Sequence, residues 1–156
     1  MENSWLLFTL NVYDYSVKRQ QIAPKKIYGI DTGLINTIGF GFSPNIGKLL
    51  ENLVFLALRR KTKEIHYFSP PSGYEVDFYL PEQRQLIQVA RNLAQSTTRD
   101  REVRALKACI ERSRNDAIGT VKVQSAIILS DSNEDPFEIN GIPVHVRSTA
   151  PWLLAE

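Results

Sequence analysis

Three residues of this 156-residue chain have the types and spacing to do chemistry around a hard cation: Glu51, Asp77 and Gln88. Glu51 lies inside Gly47-Lys48-Leu49-Leu50-Glu51-Asn52-Leu53-Val54-Phe55, Asp77 in Tyr74-Glu75-Val76-Asp77-Phe78, and Gln88 in Leu86-Ile87-Gln88-Val89-Ala90. If Pro81 to Arg84 closes a four-residue hairpin, Leu80 pairs with Gln85 and counting outward sets Asp77 directly opposite Gln88. Directly paired residues have Cβ atoms roughly 4.5–5.5 Å apart, close enough for a carboxylate and an amide oxygen to hold one ion. Any such ion is oxygen-bound: Cys109 stands alone and His66 and His145 are the only histidines, so there is no Cys/His cluster for zinc. Both histidines fall in predicted strands and read as structural. No Ser-His-Asp or Cys-His arrangement supports nucleophilic catalysis.

The helix that must carry Glu51 is announced by Ser43-Pro44, a capping hydroxyl followed by a first-turn proline, and its pattern runs to about Arg60. At about 3.6 residues per turn, Gly47, Glu51, Val54, Phe55 and Leu58 share a stripe, and only Lys48, Asn52 and Arg59 make a polar strip. Glu51 therefore points into apolar surroundings, which is costly unless a charge, hydrogen bonds or a metal offsets it. Pairing with a basic neighbour such as Arg101 is the structural alternative to a site role. Three strands are predicted next, Glu64–Phe68, Tyr74–Leu80 and Gln85–Ala90, with turns at Pro70-Pro71-Ser72-Gly73 and Pro81-Glu82-Gln83-Arg84. Thr97-Thr98 is predicted to cap a second helix over Arg99–Arg114, with Val103, Leu106, Cys109 and Ile110 buried and Glu102 favoured by the helix dipole. A strand over Val123–Leu129, a short strand over Pro143–Arg147 and a closing helix at Pro151-Trp152-Leu153-Leu154 complete the chain. Ahead of all these lie an apolar strand at Trp5–Tyr13, a polar linker ending at Pro24, and a short strand at Lys26–Ile30. Residues 1–24 thus read as an arm or the remnant of a preceding domain, and 25–156 as one domain.

The apolar fraction of 43% and charged fraction of 23% belong to an ordinary globular chain and exclude disordered and collagen-like classes. A net charge of +2 does not by itself argue for nucleic acid, so distribution matters more. Arg59-Arg60-Lys61 close one predicted helix, and Arg99, Arg101, Arg104, Lys107, Arg112 and Arg114 crowd another beside Asp100, Glu102 and Glu111. Two readings stand: a phosphate-binding face, or cations at helix ends on a solvated surface. No apolar run approaches the roughly 20 residues needed to span a bilayer, and Met1-Glu2-Asn3-Ser4 has no basic leader segment, so a cytoplasmic protein without a membrane partner is expected.

The order helix, three-strand meander, helix, strand (α-β-β-β-α-β), with acids at these places, resembles the restriction-endonuclease-like PD-(D/E)XK fold. This is an α/β (α+β) class with a central mixed β-sheet flanked by helices. More narrowly, Lys25-Lys26-Ile27-Tyr28-Gly29-Ile30-Asp31-Thr32-Gly33-Leu34, the Gly47–Phe55 stretch, Glu75-Val76-Asp77-Phe78, Ile87-Gln88-Val89 and Arg101-Glu102-Val103-Arg104-Ala105-Leu106 look like the DUF4143 domain. That domain usually forms the C-terminal part of predicted AAA+-type ATPases. The resemblance implies that Asp77 and Gln88 occupy metal-binding positions and Glu51 the helix acid, with Mg²⁺ or Mn²⁺ as cofactor. It further implies an ATPase domain in cis or trans and DNA as partner. A lysine belongs two positions past Gln88, to orient the attacking water, and Ala90 stands there. Arg91 points to the opposite sheet face by strand parity, whereas Arg101, Arg104 or Lys107 could reach in from the following helix; these four are the cations expected at a nucleic-acid face. There is no G-x-x-x-x-G-K-[ST], hence no ATP site in this chain. The expectation is a degenerate nuclease-like domain that binds nucleic acid or a partner. Its alternatives are an active Mg²⁺- or Mn²⁺-dependent DNase with a migrated cation, and a protein-interaction module.

Overall fold

A computed structural model describes residues 6–33, 46–116 and 121–155. The elements in chain order are β1 (Leu7–Leu10), α1 (Val17–Ile22), β2 (Lys26–Gly29), α2 (Ile46–Lys61), β3 (His66–Phe68), β4 (Val76–Leu80), β5 (Gln85–Val89), α3 (Ser96–Arg114), β6 (Ser125–Ser130), β7 (Glu134–Ile139), β8 (Ile142–Ser148) and α4 (Thr149–Leu154). Six strands form one mixed sheet in the order β3-β4-β5-β6-β8-β7. β3, β4 and β5 make the antiparallel meander, β5 and β6 run parallel across the α3 connection, and β8 runs parallel to β6. The mixed sheet with helices on it agrees with the α/β expectation.

Strand alternation divides the core in two. Leu86, Tyr79, Ala126, Ile128, Val144 and Val146 pack with Ala105, Leu106, Cys109 and Ile110 of α3. Phe78, Leu80, Ile87 and Leu129 pack with Val54, Phe55 and Leu58 of α2. Neighbours along a strand point to opposite faces, so each strand feeds both layers, and the fully buried Leu106 and Ile110 each contribute about 1.5–3 kcal/mol of apolar burial. Cys109 lies in the α3 layer with 0% exposure, its thiol near the Phe68 carbonyl at 3.8 Å.

The predicted polar linker holds a six-residue helix, α1, whose first turn is capped by the Ser16 side chain accepting from the Arg19 N–H. The polar sequence hid it because none of its residues is buried. β1 pairs antiparallel with β2 across the expected boundary at residue 24, and Val12 bridges Tyr67 of β3 in parallel. The arm thus packs on the α2 layer through Leu10 and Val12, beside Tyr28 of β2. The Ser43-Pro44 start of α2 and Trp5 lie outside the described residues. α3 begins at Ser96 rather than at a threonine cap, and its N-cap residue Gln95 makes no side-chain capping bond.

β7 was not anticipated. Pro136 argues against a strand, yet β7 is the sheet edge, where a missing N–H is tolerated. The signal was present in Asn140-Gly141, whose φ values of 51° and 74° make the tight turn between β7 and β8.

Candidate functional site

The site forms where β4 begins and β5 ends. Leu80 pairs with Gln85, Tyr79 with Leu86 and Phe78 with Ile87, the register expected from a Pro81–Arg84 turn, in which Arg84 takes a left-handed φ of 51°. Asp77 and Gln88 are accordingly neighbours. The link between them runs through the backbone: the Asp77 N–H donates to Gln88 Oε1 at 3.2 Å, and the Val89 N–H donates to Asp77 Oδ2 at 2.9 Å.

The other oxygen of Asp77 meets a lysine that sequence reasoning did not select. Lys26 Nζ lies 2.9 Å from Asp77 Oδ1, 3.0 Å from Glu51 Oε1 and 2.9 Å from Glu75 Oε1. The ammonium thus donates to Asp77 and Glu51, ion-pairs with Glu75 and lies 5.8 Å from the centre of the Tyr67 ring. The same Glu51 oxygen, Oε1, also accepts from the Tyr28 hydroxyl at 2.6 Å. The expected pairing of Glu51 with Arg101 is replaced by Lys26 and Tyr28.

Alternation explains this. In Lys26–Gly29, Lys26 and Tyr28 share a face, and Tyr28 is buried with its ring stacked on Phe55 at 4.2 Å. Wherever Tyr28 goes into the core, Lys26 follows. Asn52 fixes the strand to α2: its Oδ1 accepts from the Gly29 N–H at 2.8 Å and its Nδ2 donates to the Gly29 carbonyl at 3.1 Å. The expected polar strip of α2 is therefore not its exposed side at Asn52, which is 3% exposed and bonds β2 as a neighbouring strand would, while Leu53 on the same turn is 38% exposed.

Electrostatics follow from this packing. Burial alone would lower the Lys26 pKa, but the carboxylates of Asp77, Glu51 and Glu75 more than offset it and hold the ammonium firmly charged. Burial pushes the Asp77 carboxyl up to about 6, opposed by Lys26 and reinforced by Glu51. The Tyr28 hydroxyl is raised by burial and then by Glu51, so it remains a donor.

Gln88 faces a different neighbour. Its Nε2 donates to Glu102 Oε2 at 2.6 Å, and Glu102 Oε1 accepts from the Arg101 Nε at 3.0 Å. Glu102 is 3% exposed and, with α3 starting at Ser96, lies beyond its first turn, so it is an inward-facing residue rather than the helix-start acid expected. Its spacing to Leu106 and Cys109, four and seven residues on, places it on the buried stripe.

A cavity of about 370 Å³ opens beside these groups, lined among others by Glu51, Glu75, Asp77, Gln88, Arg101 and Glu102. A second, of about 420 Å³, reaches Lys26 and Tyr28 from the α2 side. A third, of about 960 Å³, is lined by Ala90, Arg91 and Arg101. Of the four cations expected at a nucleic-acid face, Arg91 and Arg101 come together there. Arg104 donates to the Asp100 carbonyl on exposed helix surface, and Lys107 pairs with Glu111, so neither reaches the site. Ala90 lies buried in the α3 layer and contributes no charge.

The donor set fits a divalent ion poorly. Asp77 and Glu51, the two expected carboxylate ligands, converge with Glu75 on an ammonium at 2.9–3.0 Å, whereas Mg²⁺ requires oxygens at roughly 2.0–2.1 Å. Both ends of the Gln88 amide are bonded within the protein. Among the described residues no group of three or more His, Cys, Asp or Glu side chains is placed to hold a metal ion, and no helix is long and apolar enough to cross a membrane.

No family model matches the chain, and no solved structure matches it. It is 38% identical over 120 residues to the uncharacterized protein MJ1544 of Methanocaldococcus jannaschii, a match covering 74% of this chain and 26% of that protein. The chain therefore spans about a quarter of the length of this curated relative.

Proposed function

We propose that this chain is a restriction-endonuclease-like domain of the DUF4143 type that has given up cleavage and binds nucleic acid, working with an AAA+-type ATPase domain. The observation that carries this reading is the state of Asp77. One carboxylate oxygen is taken by Lys26 and the other by the Val89 N–H, at 2.9 Å each, so the acid central to the expected chemistry is engaged by the protein itself. Position 90, where the resemblance calls for lysine, is a buried alanine. The element order α2-β3-β4-β5-α3-β6 supports the fold resemblance. A relative that carries the similar stretch as 26% of its length supports a module that works within larger proteins. Binding is assigned to the cavity lined by Arg91 and Arg101, where guanidinium groups suit phosphate oxygens.

Plasmid and single-stranded DNA are incubated with Mg²⁺ or Mn²⁺, beside an Asp77→Ala protein. No cleavage above the Asp77→Ala background is expected. DNA affinity is expected to fall with salt and to weaken in the Arg91→Ala/Arg101→Ala variant. Affinity unchanged by both would sink the binding reading. One observation favours a second reading: Lys26 Nζ lies against Asp77 as a migrated catalytic cation would. Cleavage that is lost in both Asp77→Ala and Lys26→Met would establish that active DNase.

A further inference from the structure

We infer that Lys26 is the resident cation of this site: its ammonium stands between Glu51, Glu75 and Asp77 in the place of a divalent ion, and the intact domain binds no metal there. The inference rests on the nuclease-like reading only for the expectation that an ion belongs at these acids. The geometry supplies the rest. The ammonium lies within ion-pair distance of all three carboxylates, at 2.9, 2.9 and 3.0 Å, and donates hydrogen bonds to Asp77 and Glu51. The side chain is 19% exposed, unlike an ordinary surface lysine, and Asp77 and Glu51 are 12% and 20% exposed.

The delivery is also built. Asn52 grips both backbone groups of Gly29, Tyr28 stacks on Phe55 and donates to Glu51, and β1 pairs along the whole of β2. Lys26 is therefore held by its strand rather than recruited by chance from solvent. This also gives a physical reason why an empty position 90 is tolerated. Positive charge for the cluster comes from a different strand, β2, on the α2 side of the sheet, and a second lysine at Ala90 would have to enter the packed α3 layer. Three carboxylates against one ammonium form a cradle selective for positive charge. Removing the tethered cation should expose that cradle to a free one.

The test titrates Mn²⁺ into the full chain and follows the free-ion electron paramagnetic resonance signal, for wild type, Lys26→Arg, Lys26→Met and Lys26→Met/Asp77→Asn. Wild type and Lys26→Arg should bind no ion that depends on Asp77. Lys26→Met should bind one Mn²⁺ at least about 100-fold more tightly than wild type, an effect expected from removing a positive charge beside the ion, and the double variant should lose it. Asp77-dependent Mn²⁺ binding by wild type would overturn the inference, as would a folded Lys26→Met protein that binds none. If Lys26→Met does not fold alone, folding restored by Mn²⁺ but not by equal ionic strength of NaCl supports it, and no restoration overturns it. Because DNA affinity is read separately through Arg91 and Arg101, a failed binding reading leaves this titration intact, and a failed titration leaves the DNA result standing.

Discussion

Asp77 and Gln88 are neighbours on adjacent strands, yet the two halves of the site handle buried polarity in different ways. The Asp77 half is ionic, with three carboxylates gathered on one ammonium brought by a strand from outside the main sheet. The Gln88 half uses a neutral amide as the spacer between the Asp77 backbone and the buried Glu102, with the compensating Arg101 left at the surface, 71% exposed. An amide is what this second half requires: a carboxylate at 88 would face Glu102 at 2.6 Å with no cation between them. The contrast teaches that the first half depends on one lysine reaching across the chain and the second on contacts between β5 and α3.

Breaking the ionic half should cost most. Lys26→Met leaves three carboxylates without their common partner and is expected to lower stability by about 3–5 kcal/mol, read from urea unfolding midpoints at constant m-value. A loss below about 1 kcal/mol would mean that the ion pairs are surface-like. Next comes the clamp on β2. Asn52→Leu keeps the volume but strands the Gly29 N–H and carbonyl, for an expected loss of about 2–4 kcal/mol, and hydrogen exchange at Gly29 should accelerate. In the amide half, Glu102→Ala should cost about 1–3 kcal/mol by leaving Gln88 Nε2 unpaired, and Glu102→Gln, which keeps an acceptor, should recover part of that. Equal losses in the two variants would show that charge, not hydrogen bonding, is what Gln88 needs.

The mildest probe is pH. Folded Asp77 takes up its proton near pH 6, against an ordinary value of 3.8. Between these values the folded state binds more protons than the unfolded one, so this group's contribution to stability falls as pH rises through that window. The melting temperature of Asp77→Asn minus that of wild type should therefore rise from pH 4 to pH 6. A flat difference would contradict a raised carboxyl.

Much of this was legible in the sequence because local rules govern it. The three-strand meander, its register through Leu80 and Gln85, the buried stripe of α3 and the closing helix all follow from short-range periodicity and turn chemistry. The central adjacency of Asp77 and Gln88 was readable for the same reason. Lys26 was not selected because its role depends on where β2 lands, and two short strands joined by a polar helix do not announce a partner 51 residues away. Asn52 was misassigned because a polar residue on a helix normally marks solvent, and only the free edge of β2 explains its burial. Glu102 had a readable spacing, but its acid character near the start of α3 matched a commoner use. β7 is hard to read because Pro136 sits inside it, and the Asn140-Gly141 turn alone does not mark the strand before it.

The lone thiol has one more consequence. Cys109 sits between α3 and the sheet, and burial pushes it up to about 12, so at neutral pH it is neither accessible nor appreciably ionised. Its alkylation must wait for α3 to lift from the strands. The chain therefore carries its own clock for the opening of that layer, and labelling rates taken with and without DNA would time whether a bound nucleic acid holds the helix down.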